Sequence, residues 1–236
     1  MSNSLPMGDS VTVQAVLFDL DGTLVDTVLD LGGACNMLRA RRGLPPLPID
    51  DYRPVAGRGS AGLLHVAFGM VAEDPAFPAL CTEFLDIYAT CLADHPCPFP
   101  GIPALIDTLR ERGVPWGIVT NKPHRFAAPL LVSVPLAATA AVVIDGDSTA
   151  NAKPHPAPLL EAARRLGIPP QACVYVGDEE RDIVAARAAS MQAVAVRYGY
   201  TADPAACDGW GAHGVVDTPS ALQNCLLTWL TTVATQ

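Results

Sequence analysis

Two aspartates, Asp19 and Asp21, directly follow an apolar run at residues 13–18 and precede Gly22. In an extended chain, residues two apart project to the same side. The pattern therefore predicts that both carboxylates face one point at the carboxyl end of a strand, where open α/β sheets bind ligands. Paired carboxylates can act as nucleophile and general acid, or can share a cation. A turn with two capping aspartates is the simpler alternative, but the complete string after a strand disfavours it.

Further polar residues stand in similar positions along the chain. Thr120 and Asn121 follow a second apolar run, Lys153 lies in a proline-rich loop, and Asp178 follows another apolar run. Each has a structural explanation of its own, because Thr120 and Asp178 could cap helices and an isolated lysine is usually a surface residue. The combination, with the expected residue types at strand ends, predicts one shared site instead.

The elements that must hold these residues alternate between strands and helices. We predict strands at 13–18, 114–119, 141–144, 173–176 and 193–196, and helices at 103–112, 124–132, 156–166 and 180–189. Such alternation predicts a Rossmann-like α/β core, with a parallel sheet covered by helices. Residues 126–144 carry no charge, but their prolines and β-branched end favour a buried helix followed by a strand over a membrane span.

One segment interrupts this alternation. After Asp26 the periodicity is helical, at 27–42 and 79–92, until a proline-rich stretch at 96–101. The sequence therefore predicts a core domain of residues 1–26 and 98–236, with an all-helical cap domain of residues 27–97 inserted after the first strand. The two connectors are the natural hinges of such an insertion.

With these motifs in this order, the sequence resembles the haloacid dehalogenase superfamily of phosphohydrolases, whose first motif is Asp-x-Asp-Gly-Thr. The resemblance extends over essentially the whole chain after residue 10. It implies that Asp19 is the nucleophile that forms an aspartyl phosphate, and that Asp21 acts first as general acid and then as general base. Thr120 matches the hydroxyl that holds a phosphoryl oxygen, and Lys153 matches the lysine that neutralises phosphate and nucleophile.

The same resemblance implies a magnesium site. Asp178 matches the acidic motif that holds the metal, and we expect Asp19, Asp21 and Asp178 as ligands, supported by Asp182 and Glu179. Charge makes the same demand, because four converging aspartates opposed only by Lys153 repel one another and cannot hold a phosphate dianion unaided. A hard divalent cation that prefers oxygen ligands, such as Mg²⁺, relieves this repulsion.

The leaving group is a separate question, since the core motifs bind only the phosphoryl part. Arg58 and Gly59 lie in a Gly-Arg-Gly string of the inserted block, which is either a turn between helices or a substrate contact. Asn121 is a further predicted substrate contact. The strings around Thr120 and Lys153, and the Val-Arg-Tyr-Gly-Tyr string at 196–200, resemble phosphoglycolate phosphatases and bacterial phosphatases of N-acetylmuramic acid 6-phosphate. We expect the first activity, with the second as the alternative.

Composition limits the possible partners. The chain has 15 basic and 24 acidic residues, a net charge of −9, so it is a poor binder of nucleic acids and anionic membranes. The seven cysteines include no Cys-x-x-Cys pair, and residues 1–10 lack the features of a signal peptide, which predicts a cytoplasmic protein. The expected partner is a small phosphorylated metabolite, and the expected assembly is a monomer or homodimer.

Three rival functions remain open. A haloacid dehalogenase shares the fold but needs neither a metal nor a second aspartate, so Asp21 and Asp178 argue against it. A phosphomutase of the β-phosphoglucomutase type would share every core motif. A non-enzymatic phospho-receiver module also combines a parallel sheet with acidic residues, but it would have no helical insertion.

Overall fold

The computed structural model describes residues 13–95 and 97–230 of the 236-residue chain. Residues 1–10, where we expect no signal peptide, and Pro96 in the second connector lie outside them. Within the described residues the strands are β1 (Ala15–Phe18), β2 (Val25–Asp26), β3 (Cys97–Pro98), β4 (Trp116–Val119), β5 (Val142–Ile144), β6 (Cys173–Gly177), β7 (Gln192–Val196) and β8 (Gly214–Val216). The α-helices there are α1 (Val28–Arg41), α2 (Ile49–Tyr52), α3 (Gly59–Phe68), α4 (Phe77–Cys91), α5 (Ile102–Glu111), α6 (His124–Ser133), α7 (Ala157–Leu166), α8 (Glu180–Ala188) and α9 (Pro219–Trp229).

Six strands form one parallel sheet in the order β5-β4-β1-β6-β7-β8. Alternate residues of β1 enter two separate apolar layers, because successive side chains of a strand point to opposite faces. Val16 and Phe18 pack in one layer, and Ala15 and Leu17 pack in the other. Helices cover both faces of the sheet, which confirms the predicted α/β class.

All five predicted core strands are present, with ends shifted by one or two residues. Two core elements were missed, the edge strand β8 and the helix α9. Strand β8 has only three residues, too short to show an alternating pattern. Helix α9 begins after Thr218, whose side chain accepts a hydrogen bond from the backbone N–H of Ala221 at 3.1 Å. Such a cap is a recognisable helix start, but the sequence analysis did not use it.

Four helices, α1 to α4, lie between the short strands β2 and β3. These strands pair antiparallel, with Val25 opposite Pro98 and Asp26 opposite Cys97, so the two predicted connectors run side by side as a ribbon. Helix α1 packs against α2, α3 and α4, which makes the segment a helical bundle. The division at residues 27 and 97 stays a prediction, and all four helices fall inside the predicted cap.

The charge-free segment 126–144 forms most of α6 and then β5, which confirms a helix followed by a strand, and the helix is buried on one side. Phe126, Ala127 and Leu130 of α6 are buried against the core. Among the described residues, no helix is both long enough and apolar enough to cross a membrane.

Candidate active site

The predicted site residues meet at the carboxyl edge of the sheet. Asp19 follows β1, Thr120 follows β4 and Asp178 follows β6, and these three strands are neighbours in the sheet. The chain stays in register just past the strand ends, because the N–H of Asp19 donates to Val176 O at 2.9 Å. The carboxyl edge of a parallel sheet is where such folds place their ligands.

Three carboxylates form a buried cluster at this edge. Asp19, Asp178 and Asp182 each offer an oxygen, and these oxygens lie within 4.8 Å of one another. Lys153 is the counter-charge, since its Nζ lies 2.9 Å from Oδ1 of Asp19 and 2.8 Å from Oδ1 of Asp182. Asp182, which we expect to support the metal ligands, therefore belongs to the carboxylate cluster and forms a second ion pair with Lys153.

Burial dominates the electrostatics of the cluster. It raises the pKa of Asp19 to about 7, although Lys153 acts in the opposite direction. Burial and the neighbouring charges of Asp19 and Asp182 raise the pKa of Asp178 well above its ordinary value. One lysine therefore does not neutralise three buried carboxylates, and the cluster is short of positive charge.

Lys153 is held in place by groups that the sequence analysis did not predict. Its Nζ donates to Tyr175 Oη at 2.7 Å and to the backbone carbonyl of Val119 at 3.2 Å. The hydroxyl of Tyr175 donates in turn to Val119 O at 2.7 Å. Because every hydrogen of the ammonium has a nearby acceptor, Lys153 points into the carboxylate cluster in one orientation.

Asp178 is fixed by residues of two other loops. Its Oδ1 accepts from Thr23 Oγ1 at 2.7 Å, and its Oδ2 accepts from the backbone N–H of Tyr200 at 2.9 Å. Gly22 passes directly over this carboxylate with a φ of +85°, and a Cβ at residue 22 would collide with it. The glycine of the Asp-x-Asp-Gly-Thr string is therefore required by both its backbone conformation and the space available.

The carboxylate of Asp21 lies apart from the cluster, and the expectation that Asp21 is a metal ligand stays a prediction. Its oxygens are 3.0 and 3.3 Å from Nζ of Lys122, and Oδ1 also accepts from Thr27 Oγ1 at 2.5 Å. The expectation that Lys153 alone opposes the aspartates needs correction, because Lys122 is a second buried ammonium. The described acidic cluster thus contains Asp182 in place of Asp21.

Asn121, which we expect to contact a substrate, bonds the backbone of Lys153. Its Nδ2 donates to Lys153 O at 2.9 Å, and its Oδ1 accepts from the Lys153 N–H at 2.9 Å. Both polar ends of the side chain are therefore bonded to the backbone of Lys153. This geometry suits a residue that positions the lysine, and contact of Asn121 with a substrate stays a prediction.

A cavity of about 290 Å³ lies above the cluster, between the sheet edge and the inserted helices. Asp19, Asp21, Thr120 and Lys153 line its floor. Residues of the inserted segment and of the core form its wall. They are Gly57, Arg58 and Gly59 from the inserted segment and Asn121, Lys122, Arg125, Glu179 and Arg181 from the core. The site residues predicted in the core and the cap thus line one cavity, apart from the buried carboxylates Asp178 and Asp182 of the acidic cluster.

The Gly-Arg-Gly string forms a junction between helices, as one of its two interpretations predicts. Arg58 ends a 3₁₀ helix (Arg53–Arg58), and Gly59 begins α3, so the string is a junction between two helices. It also reaches the core, because a Cβ at Gly57 would lie 2.7 Å from the carboxyl carbon of Glu179. Glu179 itself is paired with Arg181 at 3.0 Å. Contact of Arg58 with a substrate stays a prediction.

A family model for haloacid dehalogenase-like hydrolases matches residues 13–190 of the chain. The chain belongs to this family. The resemblance seen in its motifs is thereby confirmed, as is the prediction of a phosphoric monoester hydrolase.

Comparison with individual proteins gives the same family. The chain is 43% identical to a phosphoglycolate phosphatase of Xanthomonas campestris pv. campestris strain 8004, over 89% of this chain and 94% of the relative. It is 39% identical to an N-acetylmuramic acid 6-phosphate phosphatase of Pseudomonas aeruginosa, over 91% and 95% of the two chains. The crystal structure of a predicted phosphoglycolate phosphatase from Haemophilus somnus 129PT superposes with a TM-score of 0.77 at 25% identity, covering 91% and 98%.

The position of Asn121 in this hydrolase can be tested by substitution. Asn121→Ala removes two hydrogen bonds to the backbone of Lys153, each worth ~1 kcal/mol, so we expect phosphatase kcat/KM to fall by roughly tenfold or more. Because Lys153 serves every substrate, the loss should be equal for p-nitrophenyl phosphate and for a phosphorylated metabolite. A loss seen only with the metabolite would instead make Asn121 a contact of the leaving group.

Proposed function

We propose that the protein is a Mg²⁺-dependent phosphomonoester hydrolase that acts on a small phosphorylated metabolite through an aspartyl-phosphate intermediate, with phosphoglycolate as the first candidate substrate. The observation that carries the proposal is the buried carboxylate of Asp19. It lies on the floor of the cavity with Nζ of Lys153 at 2.9 Å. The curated relatives that include phosphoglycolate phosphatases support the choice of substrate.

The acidic cluster fits a hard divalent cation. Its ligand atoms are carboxylate oxygens within 4.8 Å of one another, and burial raises the pKa values of Asp19 and Asp178 as expected for charges that lack compensation. Asp19 and Asp178 would hold the ion, and Asp182 would balance Lys153 beside it. When bound, Mg²⁺ supplies positive charge that offsets the phosphoryl oxygens and the carboxylates.

The protein residues provide the phosphoryl transfer. An oxygen of Asp19 attacks phosphorus, so that an Asp19–phosphorus bond forms while the bond from phosphorus to the leaving oxygen breaks. Lys153 stays beside Asp19 and offsets negative charge as the intermediate forms. Thr120 accepts the Lys122 N–H at 3.1 Å through Oγ1, an orientation that lets its hydroxyl proton donate to a phosphoryl oxygen.

Asp21 moves the protons. In the first step its carboxyl group donates a proton to the leaving oxygen, which departs as an alcohol. In the second step the Asp21 carboxylate takes a proton from water, the resulting hydroxide oxygen bonds to phosphorus, and the Asp19–phosphorus bond breaks. Inorganic phosphate is released and both aspartates return to their starting states.

N-acetylmuramic acid 6-phosphate is the second candidate substrate, and the size and walls of the cavity favour it. A volume of about 290 Å³ approaches that of pockets for ligands larger than a two-carbon acid. Its apolar lining comes mainly from the inserted helices, namely Leu31, Ala56, Leu63, Phe84, Leu85 and Tyr88. An amino sugar has apolar faces that such walls can cover, whereas glycolate has almost none.

The proposal also includes the cellular setting. All seven cysteines of the chain lie in the part that the structure describes, and each is a free thiol there. Because thiols persist in reducing compartments, we propose that the enzyme works in the cytoplasm. We also propose that it acts as a monomer or homodimer.

The first test is metal removal. After dialysis against EDTA, hydrolysis of p-nitrophenyl phosphate should vanish, because the carboxylate cluster then repels the phosphoryl group. Added Mg²⁺ should restore the activity, whereas Ca²⁺ should not, since its larger and looser coordination suits the compact cluster poorly. Full activity in metal-free buffer would contradict the proposal.

The second test separates the two aspartates. Asp19→Asn should abolish turnover of every substrate, because the nucleophile is lost. Asp21→Asn should still be phosphorylated by p-nitrophenyl phosphate, which has a good leaving group, but should hydrolyse the phosphoenzyme ~10²–10⁴-fold more slowly. Rapid-quench phosphate labelling with peptide mapping measures both. Equal and mild losses in the two variants would exclude the division of roles.

The third test concerns Arg58 and the leaving group. Phosphoglycolate and N-acetylmuramic acid 6-phosphate both carry a carboxylate, which an arginine binds with two hydrogen bonds and a lysine does not. For the better of these substrates, Arg58→Ala should therefore lower kcat/KM by raising the activation free energy by ~1.5–3 kcal/mol. Arg58→Lys should restore little of the lost activity. The loss with p-nitrophenyl phosphate should be smaller. Equal losses on both substrates would identify Arg58 as a structural residue of the helix junction.

A further inference from the structure

Lys122 stands at the boundary between the sheet edge and the inserted helices. Its Nζ lies 3.0 and 3.3 Å from the two oxygens of Asp21, and it donates to Tyr88 Oη at 2.8 Å. The side chain of Lys122 is only 7% exposed. Its ammonium therefore connects a residue after β1 to a residue of α4, two elements that are distant in the sequence.

Tyr88 has a fixed position within the inserted helices. It is buried on α4, with its ring stacked on Phe84 at 6.2 Å between centroids and tilted against Phe126 of α6 at 5.3 Å. The Lys122 ammonium also lies 5.0 Å from the centre of the Tyr88 ring. Because this packing fixes the ring, the position of the Tyr88 hydroxyl depends on where α4 lies relative to the sheet edge.

The contacts of Lys122 indicate a residue that holds neighbouring side chains in place rather than one that binds phosphate. An ammonium has three hydrogens and no preferred plane, so it can bond two carboxylate oxygens and a phenol at once. Lys153 already supplies the positive charge at Asp19. In contrast, Thr27 is the only other described side chain that bonds the Asp21 carboxylate, so without Lys122 the carboxylate could rotate.

We propose that Lys122 is a positioning residue for Asp21, and that Tyr88 makes this positioning depend on the inserted helices being docked on the sheet edge. The inference rests on the proposed function, in which Asp21 transfers the protons. Docking of α4 presents the Tyr88 hydroxyl to Lys122, and Lys122 then holds both Asp21 oxygens. Proton transfer is thereby restricted to the state in which the cavity is covered.

A double-mutant cycle tests the positioning. The quantity to measure is the rate at which the phosphoenzyme formed from p-nitrophenyl phosphate loses its phosphate, in rapid-quench single turnovers with Mg²⁺. Lys122→Met, which keeps the length of the side chain, should slow this rate by roughly tenfold or more in the wild-type background. In an Asp21→Asn background it should slow the rate by less than about twofold, because a residue that acts through Asp21 has nothing left to position.

Tyr88→Phe tests the connection to the inserted helices and also serves if Lys122→Met does not fold. It keeps the ring and its packing, removes the hydroxyl, and should slow dephosphorylation by about threefold, an effect that again disappears with Asp21→Asn. The matched control is Tyr52→Phe, which removes a buried hydroxyl that bonds Asn36 within the same helical segment at 3.0 Å. It should leave the dephosphorylation rate unchanged.

Three results would overturn the inference. If Lys122→Met slows dephosphorylation equally in the wild-type and Asp21→Asn backgrounds, Lys122 has a direct role at the substrate. Equal slowing by Tyr88→Phe and Tyr52→Phe would show a general effect of the helical segment. An unchanged rate in Tyr88→Phe would remove the connection to α4. If Asp21→Asn itself dephosphorylates at the wild-type rate, the proposed function fails instead, so the two failures can be distinguished.

Discussion

The structure of the site depends on the repulsion among three buried carboxylates and its incomplete compensation by Lys153. Two unit charges at ~4 Å repel by about 4 kcal/mol at an effective dielectric near 20, and burial adds a cost for each charge. The hydrogen bonds to Asp178 and the Tyr175 contact to Lys153 keep the groups from moving apart. Under the proposed function, a cation and a phosphoryl group would enter a site whose charges are already arranged for them.

Two lysines explain how neighbouring aspartates acquire different tasks. Strand periodicity directs Asp19 and Asp21 to the same side, but Lys153 binds the first and Lys122 binds the second. Asp19 is held in the acidic cluster, and Asp21 is held toward Tyr88 of the inserted helices. The proposed division of roles thus rests on two separate ion pairs and not on the Asp-x-Asp spacing alone.

Much of this arrangement follows from the sequence, because strand ends are readable and parallel strands bring their ends together. Asp19, Thr120 and Asp178 were placed in this way. Lys122 was not, because it lies three residues beyond the end of β4, where the path of the loop decides its direction. Tyr175 was also missed, since a tyrosine in an apolar strand has the pattern of a core residue, and its bond to Lys153 depends on the tertiary fold. The backbone partner of Asn121 is likewise remote in the sequence.

Two of the contacts between the inserted helices and the sheet edge bear on different parts of the proposed mechanism. Gly57 approaches Glu179 so closely that a side chain at residue 57 would separate them, and this contact sets the distance at which the adjacent Arg58 faces the cavity. Tyr88 meets Lys122, and through it Asp21. Under the proposed roles, a change at the first contact should alter which leaving group fits, whereas a change at the second should alter proton transfer for every substrate. The two contacts would then separate the choice of substrate from the chemistry of phosphoryl transfer.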